Sequence, residues 1–233
     1  GEASFSTGYH VVEPRDNQRT TLGYAFCVML MRYLQAMSAF TQLWGGAMAM
    51  TRAAYVKYAV AQLWVENVVD DCSLSALLQV RGAKVQLCPG ALLHTDAINH
   101  SQPVWRAWMD RQVLFLKFCM PGQWKLLGLM CVMMALPMVC AGLALLGWVV
   151  GVGSGAGVLL AIFWLAALVS ALHLWRGLLS KPVPLLGWCL AFVDAVRLFT
   201  SVYWQSLKAW SIEWHGIRYE VGKGGVVLRS ERS

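Results

Sequence analysis

An uncharged stretch in the middle of the chain constrains its fold more than any other feature. The fifty residues between Lys125 and Arg176 contain no Asp, Glu, Lys or Arg. A helix needs about 20 apolar residues to cross the hydrocarbon core of a bilayer, and a glycine-rich segment at 151–157 divides the stretch. The pattern predicts two membrane-spanning helices, at 126–149 and 156–175, joined by a glycine turn.

The overall composition also favours a membrane protein. Of 233 residues, 58% are hydrophobic and only 13% are charged, whereas soluble domains average about 45–50% apolar and about 25% charged residues. This excludes a disordered tail and an ordinary soluble globule. The formal charge of +7 is expected to reflect membrane topology and anionic headgroups, with no nucleic acid as partner.

The seven cysteines include no CxxC pair. Most lie in apolar stretches and are predicted to be small buried hydrophobic residues rather than disulfides or zinc ligands. These are Cys27, Cys119, Cys131, Cys140 and Cys189.

A third apolar segment, 184–207, carries a polar stripe. Asp194 and Arg197 continue as Ser201, Gln205 and Lys208 at spacings that place them on one face of a helix. Such a helix either spans the membrane with this stripe inside a bundle or lies flat at the interface. The basic tail after Leu207 weakly favours two spans, because three would put it opposite residues 1–125.

Residues 1–125 mix charged residues with short apolar runs, which predicts an α/β layer beside the membrane. We expect a helix at 22–43, a glycine turn entering a strand at 44–50, a helix at 73–81 and a strand at 84–88 that stops at Pro89-Gly90. A rival interpretation of 22–43 as a span would place Arg32 near the membrane centre. The tail predicts a strand at 211–221, a turn at 222–225 and a returning strand at 226–228.

Two adjacent carboxylates, Asp70 and Asp71, follow an apolar run and precede the predicted helix. A carboxylate positioned in this way can accept a proton from a sugar or lipid hydroxyl. The alternative is a capping role, in which Asp71 or Ser73 caps the helix.

The order of several motifs resembles the second half of membrane-bound family-2 glycosyltransferases, most closely the ceramide glucosyltransferase-like enzymes. The resemblance rests on Gly45-Gly46-Ala47-Met48-Ala49-Met50-Thr51-Arg52, Val69-Asp70-Asp71 with Leu74, Arg81-Gly82-Ala83-Lys84-Val85, Pro89, His94, Trp108 and Arg111-Gln112. Ser6-Thr7-Gly8-Tyr9-His10 and Trp214-His215-Gly216-Ile217-Arg218-Tyr219 extend it to nearly the whole chain.

The resemblance implies a GT-A-type α/β fold followed by transmembrane helices. Residues 1–103 would be the C-terminal half of the glycosyltransferase domain, 104–122 an interfacial amphipathic helix, 123–207 a transmembrane region of two or three helices and 208–233 a cytoplasmic tail with a short β-hairpin. We expect an integral membrane protein with its catalytic part in the cytoplasm. In the amphipathic helix, Arg106, Asp110, Arg111 and Lys117 are expected to face water.

The family pattern has three aspartates and a (Q/R)xxRW motif. Asp71 matches the third aspartate, the general base, and Asp70 takes the place of its acidic neighbour. The first two aspartates, which contact the nucleotide and hold Mg²⁺ or Mn²⁺, have no counterpart in this sequence. We therefore expect the C-terminal part of a longer enzyme, inactive as this part alone.

The last motif aligns in two ways, and both remain open. One alignment uses Arg111, Gln112 and Phe115; the other uses Gln102, Trp105 and Arg106. In either case these residues would contact the acceptor or the donor diphosphate.

The remaining candidates each have two interpretations. Gly45 and Gly46 either allow close backbone approach to the acceptor or only form a turn. His94 either approaches the metal or diphosphate or is an ordinary loop residue.

The resemblance implies a hexosyltransferase that transfers a sugar, with inversion, from a nucleotide-sugar donor to a lipid or membrane-associated acceptor. The alternative is a non-catalytic membrane protein, a transporter subunit or scaffold. It would use Asp194 and Arg197 as its functional pair and the glycine turn as a hinge.

Overall fold

A computed structural model describes residues 4–232, so residues 1–3 and 233, the ends of the first and last predicted segments, lie outside it. The fold mixes helices with two small sheets. The strands are β1 (Phe5–Pro14), β2 (Met48–Met50), β3 (Gln86–Ala97), β4 (Ser211–Trp214), β5 (Ile217–Val221) and β6 (Val227–Arg232). The helices are α1 (Arg19–Ala36), α2 (Arg52–Lys57), α3 (Val60–Glu66), α4 (Asp70–Val80), α5 (Gln102–Cys119), α6 (Pro121–Val149), α7 (Gly155–Arg176) and α8 (Leu185–Ser206).

The first sheet has the order β2-β1-β3, with β1 antiparallel to β2 and parallel to β3. The prediction that the third strand stops at Pro89-Gly90 is wrong. The pairing register shifts between Thr7 and Tyr9, so that extra residues of β3 bulge out and accommodate the proline, which cannot donate to a ladder. Gly8 lies opposite this bulge, where a Cβ would come within 2.2 Å of the Ala91 carbonyl oxygen.

Helix α1 ends at Ala36, well before the predicted end at residue 43. Beyond it the chain turns back, and the Gln42 N–H donates to the side chain of Gln35 over 3.0 Å. These side-chain contacts to the backbone compete with continued helix. Leu22 and Phe26 are buried among other protein residues, and α1 is not one of the helices apolar enough to span a membrane in residues 4–232.

Within residues 4–232, three helices are long and apolar enough to cross a membrane: α6, α7 and α8. Only 11% of the apolar stretch of α6 and of α7 is buried in the protein, against 44% for α8. The helices predicted at 126–149 and 156–175 are present, and the turn between them contains Gly151 with a φ of 78°. Cys27, Cys119 and Cys131 are buried as predicted. The expectation is wrong for Cys140, which is exposed, and for Cys189, which is half-buried, because they sit on helices that present apolar surface outward.

Helix α8 packs against α1, α5, α6 and α7, and Trp188 is buried at its first turn. The segments at both ends of α8 contact elements outside the α6–α7 hairpin. In the segment that precedes α8, the Ser180 hydroxyl donates to Glu13 of β1. At its end, Lys117 of α5 donates to the carbonyl oxygens of Ser206 and Ala209 over 2.6 and 2.7 Å. Helix α8 therefore lies along α1 and α5.

The polar stripe of α8 bonds to other helices rather than within itself. Asp194 and Arg197 do not pair with each other, since Asp194 pairs with Arg19 of α1 at 2.7 Å and Arg197 is exposed. Arg106 of α5 donates to Gln205 over 2.8 Å. Arg106 nevertheless keeps 36% of its side chain exposed, so the prediction that it faces water is confirmed in part. The same prediction is wrong for Lys117, whose ammonium group donates to the end of α8.

The tail forms a three-stranded sheet with the order β4-β5-β6. The turn predicted at 222–225 is confirmed and joins β5 to β6. The single strand predicted at 211–221 is wrong, because a hairpin turn at His215-Gly216 divides it into β4 and β5. Both of these residues have positive φ, 51° and 72°, which suits a two-residue hairpin turn. Ile212 and Val221 pack with Phe118 of α5, so the tail sheet lies on the end of that helix.

Candidate active site at the start of helix α4

The two adjacent aspartates lie inside the first turn of α4, which begins at Asp70 rather than at residue 73. The capping alternative is wrong, because Val69 occupies the N-cap position. One carboxylate oxygen of Asp71, Oδ2, accepts from the Gly45 N–H over 2.8 Å, and Oδ1 accepts from the Cys72 N–H over 2.6 Å. These two bonds fix the orientation of the Asp71 carboxylate, while Asp70 is exposed beside it.

A tight turn brings Gly45 to Asp71. The Trp44 N–H donates to the Thr7 hydroxyl of β1 over 3.0 Å, and the Leu43 N–H donates to the Ser75 hydroxyl of α4 over 2.9 Å. A Cβ on Gly45 would lie 3.2 Å from Asp71 Oδ2, and a Cβ on Gly46 would lie 2.4 Å from the Trp44 ring. Gly45 therefore permits close approach to the carboxylate, and Gly46 permits the fold of the turn.

Several influences act on the charge of Asp71. Burial raises the pKa of Asp71, the Gly45 N–H lowers it, and the negative charge of Asp70 raises it. The net effect is a pKa above the ordinary value of 3.8 for aspartate. A raised pKa brings a carboxylate closer to the range in which it works as a general base.

The Asp71 carboxylate faces a cavity of about 300 Å³. Its lining is mainly apolar and comes from α1, the 40–44 segment, α5 and α6, with Phe199 from α8. On the side of the long apolar helix α6 it is lined by Leu126, Leu127 and Met130. Polar lining residues include Tyr9, Gln35, Gln42, Gln112 and Gln123. The lining contains no Lys, Arg or His within residues 4–232.

Only one alignment of the last predicted motif places residues at this cavity. Gln112 and Phe115 line it together with Asp71, and Arg111 precedes them on α5. In the other alignment, Gln102 is exposed and Arg106 bonds to α8. The third residue, Trp105, is buried against α1, where a Cβ on Gly23 would come within 2.3 Å of its ring.

The described residues, 4–232, do not form a site for the expected Mg²⁺ or Mn²⁺. His94 lies on β3, pairs with Glu13 at 3.3 Å and keeps 64% of its side chain exposed. Among residues 4–232, no group of three or more His, Cys, Asp or Glu side chains is arranged to hold a metal ion. These residues therefore do not fit Mg²⁺ or Mn²⁺ by themselves, and no step below depends on a metal.

Sequence reasoning missed several cavity residues. Tyr9 and Trp44 were noticed only as parts of motifs, although their rings lie 5.4 Å apart in the cavity wall. Gln42 donates to the side chain of Gln123, which is far away in the sequence. Glutamines in a loop and at a helix start carry no periodic signal, so only the tertiary fold reveals them.

Comparison with known proteins finds no match for this chain among family models, curated proteins or solved structures.

Proposed function

We propose that the chain is part of a hexosyltransferase that transfers a sugar, with inversion, from a nucleotide-sugar donor to a hydroxyl of a lipid or membrane-associated acceptor. The observation that carries this proposal is the position of Asp71. Its oriented carboxylate, with a raised pKa, lies at an apolar cavity that is also lined by α6, a helix long and apolar enough to cross a membrane.

Asp71 is the general base of the proposed reaction. The acceptor hydroxyl donates a hydrogen bond to the carboxylate and transfers its proton as its oxygen attacks the anomeric carbon of the donor. Since the nucleotide diphosphate leaves from the opposite face, the anomeric configuration inverts. The N–H groups of Gly45 and Cys72 hold the base in one orientation, which lowers the entropy cost of reaching the reactive geometry.

The lining of the cavity supports a lipid acceptor with an uncharged headgroup. Leu126, Leu127 and Met130 offer apolar contact for hydrocarbon chains, and Gln112 and Gln123 offer amide groups to a headgroup. A cationic side chain that would pair with an acidic headgroup is absent from the lining formed by the described residues. An anionic headgroup placed beside Asp71 would also repel its negative charge.

The proposed orientation places Asp71 on the cytoplasmic side, where nucleotide sugars are available. The positive residues Arg176, Lys181 and Lys208 favour this side for the loop before α8 and for the tail. The tail sheet packs on α5, close to the site. The donor diphosphate and its metal would be bound by residues outside this chain.

The test uses the full natural protein in isolated membranes, supplied with radiolabelled nucleotide sugars and a total lipid extract. We expect Asp71→Asn to reduce transfer roughly 100- to 10,000-fold, which is the usual contribution of a general base. Glu66→Gln is the matched control, because Glu66 is an exposed carboxylate shortly before the site.

Two results would overturn the proposal. Turnover retained by Asp71→Asn removes Asp71 as the base. Absence of transfer by the well-expressed wild-type protein, with every common nucleotide sugar, contradicts the transferase assignment itself.

A further inference from the structure

Two buried cysteines lie directly behind the candidate base. Cys72 of α4 and Cys119 of α5 are 8% and 5% exposed, and they pack together with Val69 and Met120. Each thiol is close enough to influence the pKa of the other. The Cys72 thiol also lies 3.7 Å from the Phe115 carbonyl oxygen, one turn before Cys119 on α5. The fold thus places two thiols in contact although 46 residues separate them in the sequence.

The two cysteines are suited to thiol chemistry, because one thiol has a lowered pKa and the other lines a cavity. The neighbouring Cys72 thiol lowers the pKa of the Cys119 thiol, and the neighbouring Cys119 thiol together with burial raises the pKa of Cys72. One thiolate is therefore stabilised by its neighbour, and the thiolate is the reactive form of cysteine. Cys72 lines the cavity that contains Asp71, so a small oxidant entering this cavity reaches Cys72, and Cys119 packs in the same cluster.

We propose that Cys72 and Cys119 form an oxidation site, at which a hydroperoxide joins the two sulfurs in a disulfide and slows the reaction at Asp71. The thiolate attacks one peroxide oxygen and becomes a sulfenic acid, while the O–O bond breaks and the other oxygen leaves as water or an alcohol after taking up a proton. The sulfur of the second thiol then attacks the sulfenic sulfur. Its proton leaves with the hydroxyl as water, so two thiols lose two electrons and the peroxide gains them.

The disulfide is expected to disturb Asp71 because Cys72 is its immediate neighbour. The Cys72 N–H donates to Asp71 Oδ1 over 2.6 Å, so a shift of Cys72 moves that donor. The space around Cys119 is tight, since a Cβ on Gly225 of the tail would lie 2.7 Å from its sulfur. Drawing the two sulfurs together to bonding distance is therefore expected to move α4 against α5. The effect on turnover rests on the proposed function, whereas disulfide formation does not.

The experiment treats the full natural protein in membranes with hydrogen peroxide, blocks the remaining thiols with N-ethylmaleimide, and identifies the linked peptides by mass spectrometry. Sugar transfer is measured on the same samples before and after dithiothreitol. We expect a Cys72–Cys119 linkage, at least a tenfold loss of transfer and recovery on reduction. Cys119→Ser should keep its activity in peroxide, and Cys119→Ala serves if the serine variant does not fold.

Cys88→Ser is the matched control, because Cys88 is exposed on β3 and its loss should change neither the linkage nor the peroxide sensitivity. Absence of the Cys72–Cys119 linkage at peroxide concentrations that fully modify Cys88 overturns the oxidation site. A linkage that leaves the transfer rate of an active protein unchanged overturns the control of turnover. Because peptide mapping does not require activity, failure of the transferase proposal is distinguishable from failure of the oxidation site.

Discussion

The carboxylate of Asp71 is subject to opposing local forces, and their balance sets the pH at which it can act. Burial favours its neutral form, two N–H groups favour its charged form, and the adjacent Asp70 disfavours a second negative charge. Only the deprotonated form accepts a proton. Turnover should therefore fall as the pH decreases through the pKa of folded Asp71, which lies above the ordinary 3.8.

Asp70→Asn tests this balance. Removing the negative neighbour lowers the pKa of Asp71, so the acid side of the pH–rate profile should move to lower pH. Rates of sugar transfer across the acid range measure the shift, with Glu66→Gln as control. An acid limb that stays in place or moves upward contradicts the assignment of that limb to Asp71.

Gly45 provides a second residue-level test. A Cβ at this position would lie 3.2 Å from Asp71 Oδ2, so the carboxylate must shift by a few tenths of an ångström. We expect Gly45→Ala to lower the transfer rate several-fold without changing thermal stability, because reactive geometry is sensitive to small displacements. Gly122→Ala is the control, since a Cβ on Gly122 meets nothing within 4 Å. Equal rates for both variants would show that the Gly45 contact is unimportant.

At the level of elements, Lys117 joins the end of α8 to α5. Its ammonium group donates to three carbonyl oxygens at the C-terminus of α8, where the helix dipole also favours a positive charge. Lys117→Met should lower the free energy of unfolding by about 2 kcal/mol, as expected for hydrogen bonds to a charged group. Thermal unfolding in detergent measures this loss.

Lys57→Met is the comparison for that experiment, because Lys57 is exposed at the end of α2. If both variants unfold at the same temperature as the wild type, the hydrogen bonds of Lys117 do not contribute to the stability of the α5–α8 contact.

Elements defined by local sequence could be predicted, whereas those defined by contacts between distant residues could not. Helices α6 and α7 were predictable because the absence of charge is a local property of their residues. The continuation of β3 past Pro89-Gly90 was not, since a bulge depends on the register with β1. The partner of Asp194 was also hidden, because Arg19 lies 175 residues away in the sequence.

The candidate site likewise combines residues that the sequence indicates with contacts that only the fold reveals. Asp71 and the glycines of its turn were recognisable from the order of short motifs. Their mutual contact, Gly45 N–H to Asp71 Oδ2, and the glutamines of the cavity emerge only when α1, α5 and α6 pack around them.

For the whole molecule, the contacts of α8 predict that the chain crosses the membrane twice. Ser180, in the segment between α7 and α8, contacts Glu13 of β1, and the tail sheet packs on α5. Both ends of α8 are therefore connected to segments that contact the α/β part of the chain. Cysteines introduced one at a time into a Cys88→Ser background can be labelled with a membrane-impermeant maleimide in sealed vesicles, with the Cys88→Ser protein as the blank. Lys181→Cys and Glu213→Cys should be labelled from the same side as native Cys88, and Val152→Cys from the opposite side. Labelling of Glu213→Cys from the side of Val152→Cys would mean that α8 also crosses.

The length of α6 has a consequence for how a substrate would arrive. Its 29 residues extend about 44 Å, whereas the hydrocarbon core is about 30 Å thick. If the excess lies at its beginning, Leu126, Leu127 and Met130 stand near the level of the lipid headgroups. A lipid would then need to rise from its leaflet only slightly to bring its hydroxyl to the cavity, and its chains would stay in the hydrocarbon core. The depth of α6 in the bilayer, and therefore membrane thickness, would set the distance of that rise.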